Sequence, residues 1–191
     1  DTASLGLRRY DLARKSYETA IALDPAYVLA LVNLGVTLSL MGHFYKAITH
    51  YQAGLKIDPN DINSINAIGN ALQFKGEYDA AIESYNKAIE SNPNHTDAYN
   101  NLGNILNDLG NYNEAKGYFT KALEINPNSS ETHSNLGVAL HELGQYEAAI
   151  YHQGRSIDLK PEHIEAYRNL AVSLRSISLD HFSEPLANRY I

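Results

Sequence analysis

Between residues 96 and 125 the apolar side chains return every three or four positions. Tyr99, Leu102, Leu106 and Leu109 fall on one helical face, and Gly110 then interrupts the run. This spacing predicts a helix over 96–109 and a second over 112–125, with Pro127 stopping the second. The other side of the first helix is unusual. The stretch NNLGNILNDLGNYNEA, residues 100–115, holds six asparagines and two glycines, both residue types that disfavour helix.

The same pattern recurs along the chain. Pro25, Pro59, Pro93, Pro127 and Pro161 are spaced by 34 residues. Gly35, Gly69, Gly103 and Gly137 keep that step, as do Gly42, Gly76, Gly110 and Gly144. Ala13, Ala47, Ala81, Ala115 and Ala149 keep it too. A fixed period of this length marks stacked supersecondary units. A helix of this size spans ~21 Å, and one pair alone cannot bury both apolar faces, so stacking must build the core. Gly103 sits mid-helix and is expected to allow close backbone approach opposite Ala115. Tyr10, Phe44, Tyr78, Tyr112 and Tyr146 open the second helices, with Tyr17, Tyr51, Tyr85 and Phe119 two turns further on. Both aromatic rows read as inter-helix packing.

Composition adds exclusions. The 191 residues are 44% hydrophobic and 19% charged, an ordinary globular balance. A net charge of −7 argues against a nucleic-acid backbone as main partner. With no cysteine there is neither a disulfide nor a thiolate metal site. No apolar run approaches the ~20 residues that span a membrane. A cytoplasmic location is the working expectation.

The 34-residue period, with its "NLG…LG.Y..A…A…(D/N)P" pattern over roughly residues 3–176, resembles the tetratricopeptide repeats. The register also resembles the superhelical arms of the O-GlcNAc transferases. That resemblance implies an all-α fold, a right-handed α-solenoid of stacked antiparallel helix pairs, whose first helices line a concave groove that usually binds peptides. The expected division is a partial repeat at 1–27 (the end of a first helix and a complete second), with its turn glycine displaced to Gly6. Repeats follow at 28–61, 62–95, 96–129 and 130–163, then a capping helix at 164–178 and a non-repeat tail at 179–191. The chain is expected to be a piece of a longer protein.

Residues that could carry catalysis, a cofactor or a metal do not assemble. "HELGQ" at His141 has Gln145 where a zinc-protease helix needs a second histidine. His133 takes the slot of Leu31, Ile65, Tyr99 and Tyr167, so it reads as a packed core histidine. "DPNDIN" at 58–63 lacks the glycine and distal glutamate of a calcium loop. We assign no catalytic residue, no cofactor and no metal.

What remains is a stripe on the first helices. Asn33, Asn101, Asn135 and Asn169 recur once per repeat, with Ala67 the single gap. Asn66, Asn70, Asn100, Asn104 and Asn107 run beside them at i, i+4 and i+7, hence on one face. Gln73, Asp108, Ser134, His141, Glu142, Arg168 and Arg175 complete it. In the transferase arms that this register resembles, such a ladder grips an extended peptide by its main chain. One carboxamide offers a donor and an acceptor, which suits a single peptide unit. A second role stays open, since the same side chains could fix neighbouring helices.

The expected function is thus a non-catalytic protein–protein interaction scaffold, with a protein or peptide in extended conformation as partner. The alternative is the recognition arm of a larger enzyme such as a glycosyltransferase or other transferase. A third reading is weak homo-oligomerisation through the tail, where Phe182, Leu186 and Tyr190 are spaced i, i+4, i+8. The carboxylate clamp of heat-shock co-chaperones is rejected. Its lysine slots hold Asn66 or Asn100 and Glu131 or Glu165, and its arginine slot Asn135 or Asn169. RNA binding is rejected because the period never slips to a longer one and no cationic track lines the stripe.

Overall fold

A computed structural model describes the backbone over residues 2–177 and the side chains from Arg9 onward. Within it the chain is all-α. The tail with Phe182, Leu186 and Tyr190, and with it any oligomer formed there, lies outside the described residues. Contacts divide the chain into two compact units, Asp1–Pro93 and Asn94–Ile191. The first holds α1 (Thr2–Leu23), α2 (Val28–Leu40), α3 (Phe44–Ile57), α4 (Ile62–Phe74) and α5 (Tyr78–Ser91). The second holds α6 (Thr96–Asp108), α7 (Tyr112–Ile125), α8 (Ser130–Glu142), α9 (Tyr146–Leu159) and α10 (Ile164–Ser176). Within each unit every helix packs on the next in sequence, and first helices of successive pairs also touch, α2 on α4 and α6 on α8. No helix among the described residues is long and apolar enough to cross a membrane.

The turns inside the pairs follow from local chemistry. Gly110 adopts φ of 77°, a left-handed conformation that glycine enters without a Cβ penalty. Its N–H donates to Asn107 O at 3.0 Å and the next N–H, of Asn111, to Leu106 O at 2.8 Å. Those bonds satisfy carbonyls that the end of α6 leaves open. Gly42, Gly76 and Gly144 repeat the conformation. Residues 1–27 depart from expectation. No turn forms at Gly6, and residues 2–23 are a single helix.

The mid-helix glycines open space for a ring. A Cβ placed on Gly103 would lie 2.6 Å from Cε1 of Phe119. The partner is therefore Phe119 of the second helix, rather than Ala115 as the sequence suggested. Gly35 receives Tyr51 and Gly69 receives Tyr85 in the same way. All three rings are essentially excluded from solvent, so each stacked pair is locked by one aromatic side chain laid on a glycine. In the next pair the slot of the ring belongs to Gln153, which is fully buried against Gly137. Its Nε2 donates to Ser134 O at 3.0 Å, so the amide is not stranded.

Two glycines on adjacent helices should therefore respond oppositely to alanine. Gly103→Ala drives a methyl into a ring that cannot retreat, and overpacking of this kind costs ~1–3 kcal/mol. Gly117, on the exposed side of α7, would meet nothing within 4 Å. Gly117→Ala should gain ~0.5–1 kcal/mol from helix propensity alone. Urea denaturation of both variants should move the midpoint down for the first and up for the second.

Candidate functional site

The asparagines sit on first helices, where their spacing puts them on one side of α2, α4, α6, α8 and α10. In the N-terminal unit Asn33, Asn66 and Asn70 are half-buried. The Tyr85 hydroxyl lies 2.7 Å from Asn70 Oδ1 and 2.9 Å from Gln73 Oε1 and donates between them. Burial pushes the Tyr85 phenol well above its ordinary range, so it remains a donor and fixes both carboxamides by their carbonyl oxygens.

In the C-terminal unit Asn101, Asn104, Asn107, Asn135 and Asn169 are half-buried, whereas Asn100 is only 6% exposed. Asn100 turns inward. Its Nδ2 donates to Glu131 Oε1 at 3.3 Å and its Oδ1 accepts from Asn135 Nδ2 at 3.2 Å. It thereby braces α6 to α8, the second of the two roles open to these side chains. Ser134, which the sequence put on the stripe, is also buried and faces Gln153. Asn107 Oδ1 is sealed from solvent without a hydrogen-bond partner, the only such side-chain atom among the described residues. Asn169 lines a small recess of about 70 Å³ beside His141, whose Nδ1 meets Ser173 Oγ at 3.1 Å and ties α8 to α10.

A feature of the N-terminal unit escaped the sequence reading. Val36, Leu40, Phe44, Ala67, Asn70 and Phe74 line an apolar cavity of about 490 Å³ between α2 and α4. Phe74 is 75% exposed, yet its ring stacks on Phe44 with centroids 5.4 Å apart and planes 7° from parallel. Leu40 is 61% exposed on the same wall. The signal was present in the register. Leu40 and Phe74 become Asp108 and Glu142 at the same step, and Val36 becomes Asn70 and Asn104. A search for polar side chains alone passes over it.

His133 is buried, as its slot implied, but it is not surrounded by hydrocarbon alone. Its Nδ1 lies 2.9 Å from Nδ1 of His152 on α9, and its Nε2 lies 3.0 Å from the Pro127 carbonyl. Burial lowers the pKa of His133, and burial reinforced by the neighbouring His133 brings His152 down to about 4. Ser130, Ser156 and His163 form a second polar knot, with Ser156 Oγ 2.9 Å from His163 Nδ1. No three metal-ligating side chains come together among the described residues.

Two measurements follow. Asn100→Ala removes a buried brace and leaves the Asn135 amide without its acceptor. It should lower stability by ~1–2 kcal/mol, read as a shift of the urea midpoint. For His152 the folded pKa, about 4, lies below the ~6.5 of an unfolded histidine. Between those values the unfolded chain binds more protons, so stability should be full above pH ~6.5 and fall as pH drops towards 4. Denaturation curves across that window should show a shallower fall for His152→Gln than for the natural chain.

Family profiles described as tetratricopeptide or TPR repeat match residues 3–27, 28–61, 69–110 and 94–162. Among curated proteins nothing matches. Among solved structures, one of MamA is 24% identical with a TM-score of 0.69, over 82% of this chain and 91% of that one. One of YrrB, described as a TPR protein with an unusual peptide-binding site, is 21% identical with a TM-score of 0.68, over 93% and 92%. At such identities the likeness concerns the fold. The repeat register, the glycine-and-ring locks and the four profile matches agree, and the chain belongs to the tetratricopeptide repeat family.

Proposed function

We propose that this chain is a non-catalytic scaffold that holds an extended segment of a partner protein along its first helices. The observation that carries the reading is the place of the apolar cavity. Ala67, the one gap in the asparagine ladder, lies on the wall of that cavity. Where the ladder lacks a carboxamide for main chain, the surface offers room for a side chain. Within the N-terminal unit the partner segment would then be held by its backbone at Asn33 and Asn66 and anchored by one bulky apolar residue between Leu40 and Phe74.

Magnitudes bound the affinity. Each neutral hydrogen bond contributes ~0.5–1.5 kcal/mol net, and burying one large apolar side chain ~1.5–3 kcal/mol. After the cost of ordering a flexible peptide, micromolar dissociation constants are the expected order.

The test uses extended peptides with and without a central leucine or phenylalanine, titrated by fluorescence anisotropy. Phe74→Ala should leave the melting temperature nearly unchanged, because the ring is largely exposed, and should weaken the apolar peptides about tenfold or more. Asn101→Ala with Asn104→Ala should weaken both peptide sets alike. Unchanged affinity in both variants, at unchanged melting temperature, removes the groove reading.

A further inference from the structure

The C-terminal unit holds a second cavity, of about 390 Å³, that shares no lining residue with the asparagine stripe. It lies between the second helices α7 and α9, over α8. Leu123, Pro127 and Leu136 give it an apolar floor, Glu124 and Arg155 bring opposite charges, and His133 and His152 form one side.

Hydrogen bookkeeping settles what the histidines present there. The Pro127 carbonyl only accepts, so His133 Nε2 must carry a proton to bond it at 3.0 Å. Burial keeps His133 neutral at pH 7, so its single ring proton is the one on Nε2 and its Nδ1 is bare. A bare Nδ1 accepts, hence the proton in the 2.9 Å contact belongs to His152 Nδ1. His152 is neutral as well, and that proton is its only one. Its Nε2 is therefore an unprotonated lone pair. Among the described residues that nitrogen makes no hydrogen bond, and it is not sealed off, since Asn107 Oδ1 is their only buried unpartnered side-chain atom. The ring is held by stacking on His133 and by an edge contact with Tyr151, both at 5.1 Å between centroids. A chain running from carbonyl to imidazole to imidazole polarises its members in one sense and strengthens the terminal acceptor.

The chemistry of the walls narrows the ligand. A bare acceptor asks for a hydrogen-bond donor. Arg155 is paired with Asp158 at 3.6 Å and Glu124 with Lys121 at 2.6 Å, so a neutral ligand suits the cavity. A metal ion would find no third ligand. The apolar floor asks for a hydrocarbon body of matching character. We propose that this cavity is a second binding site that takes the phenol of a partner protein's tyrosine, its hydroxyl donating to His152 Nε2 and its ring lying on Leu123 and Leu136. It is independent of the groove on the first helices and stands or falls separately.

The natural chain with ¹⁵N-labelled histidine, observed by NMR at pH 7, tests the acceptor directly. The expected result is a protonated Nδ1 and an unprotonated Nε2 for His152, with the reverse for His133. A protonated Nε2 on His152 overturns the proposal. The same sample is then titrated with p-cresol and with 4-methylanisole, which has the same ring and no donor. p-Cresol should bind in the millimolar range expected of so small a molecule, shift His152 Nε2 above all other imidazole nitrogens, and bind at least tenfold more tightly than the ether. Equal binding of the two, or p-cresol shifts that bypass His152, overturns it. His152→Phe should bring the two probes to equal affinity. A p-cresol preference that survives in folded His152→Phe also counts against the proposal, and if that variant fails to fold, the measurements on the natural chain decide alone.

Discussion

Each helix pair of this protein depends on one steric relation: a large side chain of the second helix occupies the volume that a glycine leaves on the first. Tyr51 on Gly35, Tyr85 on Gly69 and Phe119 on Gly103 are buried to within a few per cent. Such close packing sets both the separation and the rotation of the two helices. The consequence reaches the surface. Once the rotation of a first helix is fixed by its glycine, the residues one turn either side are committed to pack or to face outward. The asparagine stripe and the Phe74 cavity are therefore products of the same lock.

The pair α8–α9 shows what happens when the lock changes character. Gln153 replaces the ring, and polar side chains gather around it: Ser134 accepts its amide, His133 meets His152, and Ser156 meets His163. A polar interior is tolerable only when every member is satisfied, because an unpartnered buried group costs as much as several apolar contacts return. Here the members find partners on different helices. The pair is consequently held by directional bonds where its neighbours are held by shape.

Tyr85 links the two regimes. It fills the glycine slot with its ring while its hydroxyl reaches Asn70 and Gln73. A single side chain thus supports the core and orients two members of the outward stripe, and a phenylalanine such as Phe119 can perform only the first task. The difference between Tyr85 and Phe119 is one oxygen atom, and through it Tyr85 reaches two carboxamides of its own first helix.

The sequence by itself determined the 34-residue period and, from α2 onward, where helices stop and turn, but not the single helix at 2–23. These rest on signals confined to a few neighbouring residues: a 3.6-residue apolar period, a glycine able to take a positive φ, and a proline that ends a helix. It also placed eight of the nine asparagines on an outward or half-buried stripe, because spacing along one helix fixes the face. Tertiary structure decided the rest. Whether Asn100 faces out or braces α8 depends on Glu131 and Asn135, more than thirty residues away. The histidine pair, the polar slot at Gln153 and the cavity beside Ala67 likewise need contacts between separate helices. Periodicity tells which residues share a face. Only packing tells what each face meets, because burial and hydrogen bonding belong to pairs of residues that the chain keeps far apart.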